Sequence, residues 1–275
     1  MPKASIAQLA AGTASKPRRH RHGSDLPDAI WAPPLSTVSG PHQLGSGDRH
    51  TAISAHDQLT RSNRALFAWS SLVAVLTLVN FVGPQFWDTP EDRIYTYSNA
   101  ALALLQFGVT LVIVLMIARP GGLRTTLALR PPSSWRRAAA IGLLLIVSMM
   151  ALLAILDPLL QAGDAQELTP AWDPTRVIPF AINATVIALV APVVEELWFR
   201  GLGFTLLQRF GPSIATVATA VTFALAHGLI ELLPIAAPFG LVLAYLRSRT
   251  DSVYPGIVVH VLFNALGVSA IVVAS

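Results

Sequence analysis

Cysteine is absent from the 275 residues, so neither a disulfide framework nor thiolate chemistry can operate in this chain. Charge is scarce as well. Asp, Glu, Lys and Arg together make up 12% of the sequence, about half of what a soluble domain carries. A secretory leader is not expected either, because no apolar segment closely follows the basic "KPRRHRHG" near the N-terminus. No internal repeat is visible, which weighs against the repeat-built transporter folds.

What fills the chain instead is apolar sequence. Residues 65–87, 94–118, 138–156, 177–194, 210–230, 232–246 and 252–275 contain no Asp, Glu, Lys or Arg. Most of these runs reach the roughly 17–25 residues that carry a helix across the hydrocarbon core. The weakest is 232–246, which is short and holds Pro234 and Pro238. The expected fold is an all-α polytopic membrane protein of about seven transmembrane helices, with an eighth if 177–212 is broken in two. Residues 1–62 are polar and rich in Pro, Ser, His and Gly. They cannot bury a core and read as a disordered cytoplasmic tail, ahead of a transmembrane domain over 63–275.

The basic balance, net +4 with a sequence pI near 10.0, would suggest nucleic acid in a soluble protein. Here the Lys and Arg residues sit between the apolar runs and alternate in density. Near the spans, alternate loops hold 12 against 2. The positive-inside rule then places the N-terminus in the cytoplasm and, with seven spans, the C-terminus outside. The expected partners are lipid and a peptide or protein substrate rather than nucleic acid. Oligomeric state is not encoded in any pattern found.

Polar residues inside the last four expected spans are few, and they recur four apart: Glu196 with Arg200, Phe223 with His227, His260 with Asn264. That spacing puts each pair on one helical face. Glu195 lies about 100° round the helix from Glu196, so the two carboxylates should serve different roles. Gly211-Pro212 reads as a turn, with Glu195 16 residues before Gly211 and His227 16 after it. In an antiparallel hairpin both reach about 24 Å along the axes, provided that the fourth helix runs unbroken past Gly201 and Gly203. A Glu196–Arg200 ion pair bracing the helix is structure enough for those two residues. A second carboxylate, two histidines and an Asn at lipid depth have no such economical account, and ionisable groups there default to function.

"EELWFR" (Glu195 to Arg200), "FALAH" (Phe223 to His227) and "HVLFN" (His260 to Asn264) resemble the EExxxR, FxxxH and HxxxN motifs of the CPBP family. Its members are type II CAAX prenyl endopeptidases and bacteriocin-processing proteins. The resemblance covers 177–275; the earlier runs fit in hydropathy alone. It implies an intramembrane endopeptidase in which Glu195 activates water and His227 holds it. His260 and Asn264 would stabilise the oxyanion, while Glu196, Arg200 and Phe223 support the site. No tightly held metal is expected, since HExxH is missing; the alternative is zinc on Glu195, His227 and His260. Rival readings are a proton-coupled transporter and a non-catalytic immunity or scaffold protein of the same fold.

Overall fold

The computed structural model describes residues 46–86, 92–160 and 172–273. Among the described residues there is no β-strand, and the long helices follow the apolar runs. They are α1 (Ser46–Val82), α2 (Tyr97–Ala118), α3 (Trp135–Leu160), α4 (Val177–Phe210), α5 (Pro212–Ala226), α6 (Leu233–Thr250) and α7 (Tyr254–Val273). Five of these segments are long and apolar enough to cross a membrane: Asp57–Gln85, Tyr97–Gly121, Trp135–Leu156, Val177–Phe210 and Tyr254–Val273. They give the chain the make-up of an integral, multi-pass membrane protein.

Two expected spans differ in kind. α5 has 15 residues, about 22 Å of rise, and falls short of a ~30 Å hydrocarbon core. α6 has 18 residues and accommodates Pro238 internally, but it ends in Arg247 and Arg249. The two pack on each other along their length, and Gly240 meets the backbone of Ala220 at this contact. They form a helical hairpin.

α4 runs without a break from Val177 to Phe210, so the division of 177–212 into two helices does not occur. At its foot, Asn99 of α2 donates to Asn183 Oδ1 (2.7 Å), and Asn183 Nδ2 donates to Thr96 O (2.9 Å) and Pro179 O (3.0 Å). Its apolar window is 39% buried, against 11% for the windows of α1 and α3. It is the central element.

α1 begins at Ser46, inside the stretch expected to be disordered, so 46–62 is helical. Propagating an existing helix costs far less than nucleating one, and the apolar part of α1 supplies the nucleus. The remaining tail, residues 1–45, lies outside the described residues.

Candidate active site

The site is built on α4, and α4 is not a regular helix. Two stretches, Val186–Val190 and Glu196–Gly203, are wound as π-helix. The first has a visible cause. Pro192 has no N–H and its ring crowds the preceding turn, so the helix widens before it. In π register Ala191 N–H bonds Val186 O, and the next donor in line would be residue 192 to Ile187 O. Proline cannot supply it. Asn264 of α7 supplies it instead, with Nδ2 donating to Ile187 O at 2.9 Å. Asn264 thus ties α7 to α4 and keeps a second amide hydrogen for other use.

The second π stretch begins at Glu196, which is fully buried, as is Arg200. Arg200 Nη1 stands 3.0 Å from Glu196 Oε1, an ion pair by distance but outside hydrogen-bond angles. Arg200 Nη2 donates to Gly240 O at 3.0 Å, and its guanidinium lies 4.3 Å from the centre of the Phe223 ring. The Arg200 carbonyl accepts from Arg247 Nε at 3.1 Å. Two arginines counted as loop charges are therefore interior groups. Taking them from the 12 near-span charges leaves 10 against 2, and the bias keeps its sign.

Glu195 and Glu196, expected to be separate in role, do point differently, yet both reach His260. His260 Nδ1 is 3.2 Å from Glu196 Oε1, and His260 Nε2 is 3.6 Å from Glu195 Oε2. A carboxylate only accepts, so Nδ1 carries the proton toward Glu196 and Nε2 is turned toward Glu195. The 3.6 Å gap is longer than a hydrogen bond and short enough for both groups to share one water. Glu196 can lie so close to α7 because residue 256 is glycine: a Cβ there would sit 2.5 Å from Glu196 Oε2.

His227 is not inside a helical span as expected. α5 ends at Ala226, and His227 is its C-cap. The stop is set by Gly228 at φ +71°, a conformation that glycine takes without strain. Asn80 of α1 also caps the end, with Nδ2 donating to Ala226 O at 2.6 Å. His227 Nδ1 is 2.8 Å from Phe223 O. A carbonyl accepts, so Nδ1 holds the proton, and the neutral ring keeps its lone pair on Nε2. Phe223 meets His227 edge-on at 4.7 Å and His260 at 5.8 Å, which gives the Phe of the second motif its place between them.

Glu195 and His227 line one cavity of about 170 Å³. Equal counts from Gly211 did bring them together. The far wall was not foreseen: it comes from Leu76 and Asn80 of α1 and from Gln106, Phe107 and Thr110 of α2. Asn80 and Gln106, two amides in charge-free runs, were the available signal. Glu195 is 17% exposed while Glu196 is 0%, so Glu195 is the carboxylate with access to a substrate. Among the described residues, no three His, Asp or Glu side chains converge as a metal-ligand set. Glu195, His227 and His260 form no such set in this arrangement.

Residues 177–266 match the family model described as type II CAAX prenyl endopeptidase Rce1-like. The match contains all three motifs and runs from the start of α4 into α7. The family expected from those motifs is the family that this segment matches, and it is a peptidase family. Neither curated proteins nor solved structures yield a match to the chain.

Proposed function

We propose that the chain is an intramembrane endopeptidase that hydrolyses a peptide bond in a membrane-associated peptide or protein, with Glu195 as the base. The observation that carries this reading is a partly exposed carboxylate at the wall of a cavity, between one histidine with a free lone pair and another anchored from behind. The Rce1-like match supports a CAAX-type substrate class, and a largely apolar cavity that holds the polar groups of Asn80, Gln106, Glu195 and His227 suits a peptide.

In this mechanism a water held by Glu195 and His227 Nε2 gives a proton to the Glu195 carboxylate as its oxygen bonds to the scissile carbonyl carbon. His260, fixed through Nδ1 by Glu196, acts in its doubly protonated form: its Nε2–H hydrogen-bonds the oxyanion and keeps that proton throughout the step. The second amide hydrogen of Asn264 adds to that stabilisation, which is worth a few kcal/mol per donor in such sites. Collapse breaks the C–N bond, and Glu195 returns its proton to the leaving nitrogen. One peptide and one water become a carboxylic acid and an amine. No metal is required.

The 10-against-2 charge bias supports a cytoplasmic N-terminus and an external C-terminus. The cavity then opens toward substrates held in or on the same membrane. The test is quantitative proteomics of membranes carrying wild type or Glu195→Gln. A precursor that accumulates only with the variant supports hydrolysis; identical peptide profiles, with both proteins present at equal level, would reject it.

A further inference from the structure

The charge-free runs hold side-chain amides, and nearly all are accounted for. Asn80 donates to Ala226 O, Gln85 to Phe81 O, Asn99 to Asn183 Oδ1, Asn183 to Thr96 O and Pro179 O, and Asn264 to Ile187 O. Gln106 differs. Among the described residues its carboxamide has no hydrogen-bond partner; only its backbone carbonyl is engaged, by Thr110 Oγ1 at 2.8 Å.

Gln106 lies 9 residues after Tyr97 and 12 before Ala118, near the middle of α2. Gln106 is itself exposed, so at mid-span its amide meets lipid or the cavity, and an amide left unpaired in an apolar setting costs free energy. Its neighbours Leu102, Leu105 and Val109 are exposed hydrophobics of the lipid-facing kind, so packing alone would favour another apolar residue at 106. Yet Gln106 lines the same cavity as Glu195 and His227, on the opposite wall.

We propose that Gln106 is a substrate-binding residue that pairs with the peptide backbone and holds an extended strand across the cavity. The inference rests on the endopeptidase reading above. A carboxamide offers one carbonyl acceptor and an NH₂ donor on a planar group, which matches the N–H and C=O that a single residue of an extended strand points to the same side. Pairing of this kind reads backbone and ignores side chains, so it positions the strand without selecting its sequence. It also restricts the substrate to a segment that is locally extended, because a helical peptide has already used those groups internally.

The test uses an internally quenched peptide ending in a farnesylated C-a-a-X sequence. Cleavage is measured for wild type, Glu195→Gln, Gln106→Leu and Gln106→Met. Binding of the same peptide is measured by anisotropy on the Glu195→Gln background, with and without each Gln106 change. Loss of the pairing should raise KM and Kd roughly tenfold and leave kcat within about twofold. The melting temperature should hold or rise, because an unpaired amide has been removed from the wall.

If wild type cleaves, Glu195→Gln does not, and the Gln106 variants keep wild-type KM and Kd, the inference fails while the endopeptidase reading stands. A lowered melting temperature with kcat and KM moving together would assign Gln106 to structure, and the inference fails. A wild-type protein that neither binds nor cleaves the peptide removes both.

Discussion

α1 to α3 and α4 to α7 are both apolar and do different work. The first three helices touch the site through one wall and present Phe67, Leu78, Leu105, Met116, Leu144 and Ile155 outward. The last four hold every ionisable group of the site: Glu195, Glu196, Arg200, His227 and His260. Their interior encloses a small polar cluster, with Glu196, Arg200 and His260 at 3% exposure or below. The contrast separates two uses of a membrane helix. One side supplies a hydrophobic container, tolerant of change, and the other a fixed polar assembly in which each group depends on the next.

The largest difference between the regions should appear on breaking the buried pair. Glu196→Gln leaves the Arg200 guanidinium without its counter-charge at depth and loosens His260. Such losses run to about 3–5 kcal/mol, so we expect a clear fall in melting temperature or yield. Leu105→Ala on the lipid-facing side of α2 should change stability by less than about 0.5 kcal/mol. Equal thermal shifts for the two variants would erase the distinction.

Next comes chemistry within the polar half. His260→Ala removes one oxyanion donor and should lower kcat by roughly 10²–10³, leaving measurable cleavage. Complete loss, together with stoichiometric metal in the purified wild type and its removal by chelation, would reveal a ligand instead.

A smaller effect sharpens the account of α4. Asn264→Ala orphans the Ile187 carbonyl, at a cost of about 1–3 kcal/mol. Pro192→Ala restores a backbone N–H in register with that carbonyl and should recover part of the loss. Thermal unfolding of the two singles and the double checks the coupling; strict additivity would mean that Pro192 and Asn264 do not share Ile187 O.

Much of this was legible in the sequence, and the gaps have physical causes. Hydropathy placed the helices, and the four-residue spacings paired Glu196 with Arg200 and Phe223 with His227. Counting from Gly211 put Glu195 and His227 in one cavity. What hydropathy cannot give is helix rotation. Asn80 and Gln106 were visible as polar residues, yet which neighbour they face depends on tertiary packing. The end of α5 at His227 had a local signal in Gly228, but its second cap, Asn80, lies 146 residues away in sequence. Arg247 read as a loop charge, since nothing local says that its target is the Arg200 carbonyl on a widened turn.

The smallest predicted effect lies at the opposite, sparsely charged end. Asp173 accepts from Thr175 Oγ1 (2.6 Å), Thr175 N (2.8 Å) and Arg176 Nε (2.6 Å), and Arg176 also bonds Asp92. The Thr175 hydrogen bonds, and then Arg176, hold the Asp173 carboxyl down at about 2 from its usual 3.8. A depressed folded-state pKa gives stabilisation that is complete above 3.8 and is lost as pH falls toward 2. Protection of the Thr175 amide from hydrogen exchange should therefore be flat above about pH 4 and decline below it. Asp173→Asn should abolish that decline, and a protection curve that this substitution leaves unchanged would remove the carboxylate from the explanation.

The central claim is that Glu195, not its buried neighbour, performs the hydrolysis, and the most direct measurement is peptide cleavage by purified Glu195→Gln alongside its melting temperature. The amide has the same shape and no basicity at the reacting atom. The account predicts cleavage reduced to background with a melting temperature within about 2 °C of wild type, a shift small enough to exclude loss of the fold. Cleavage at the wild-type rate by the folded variant would contradict it.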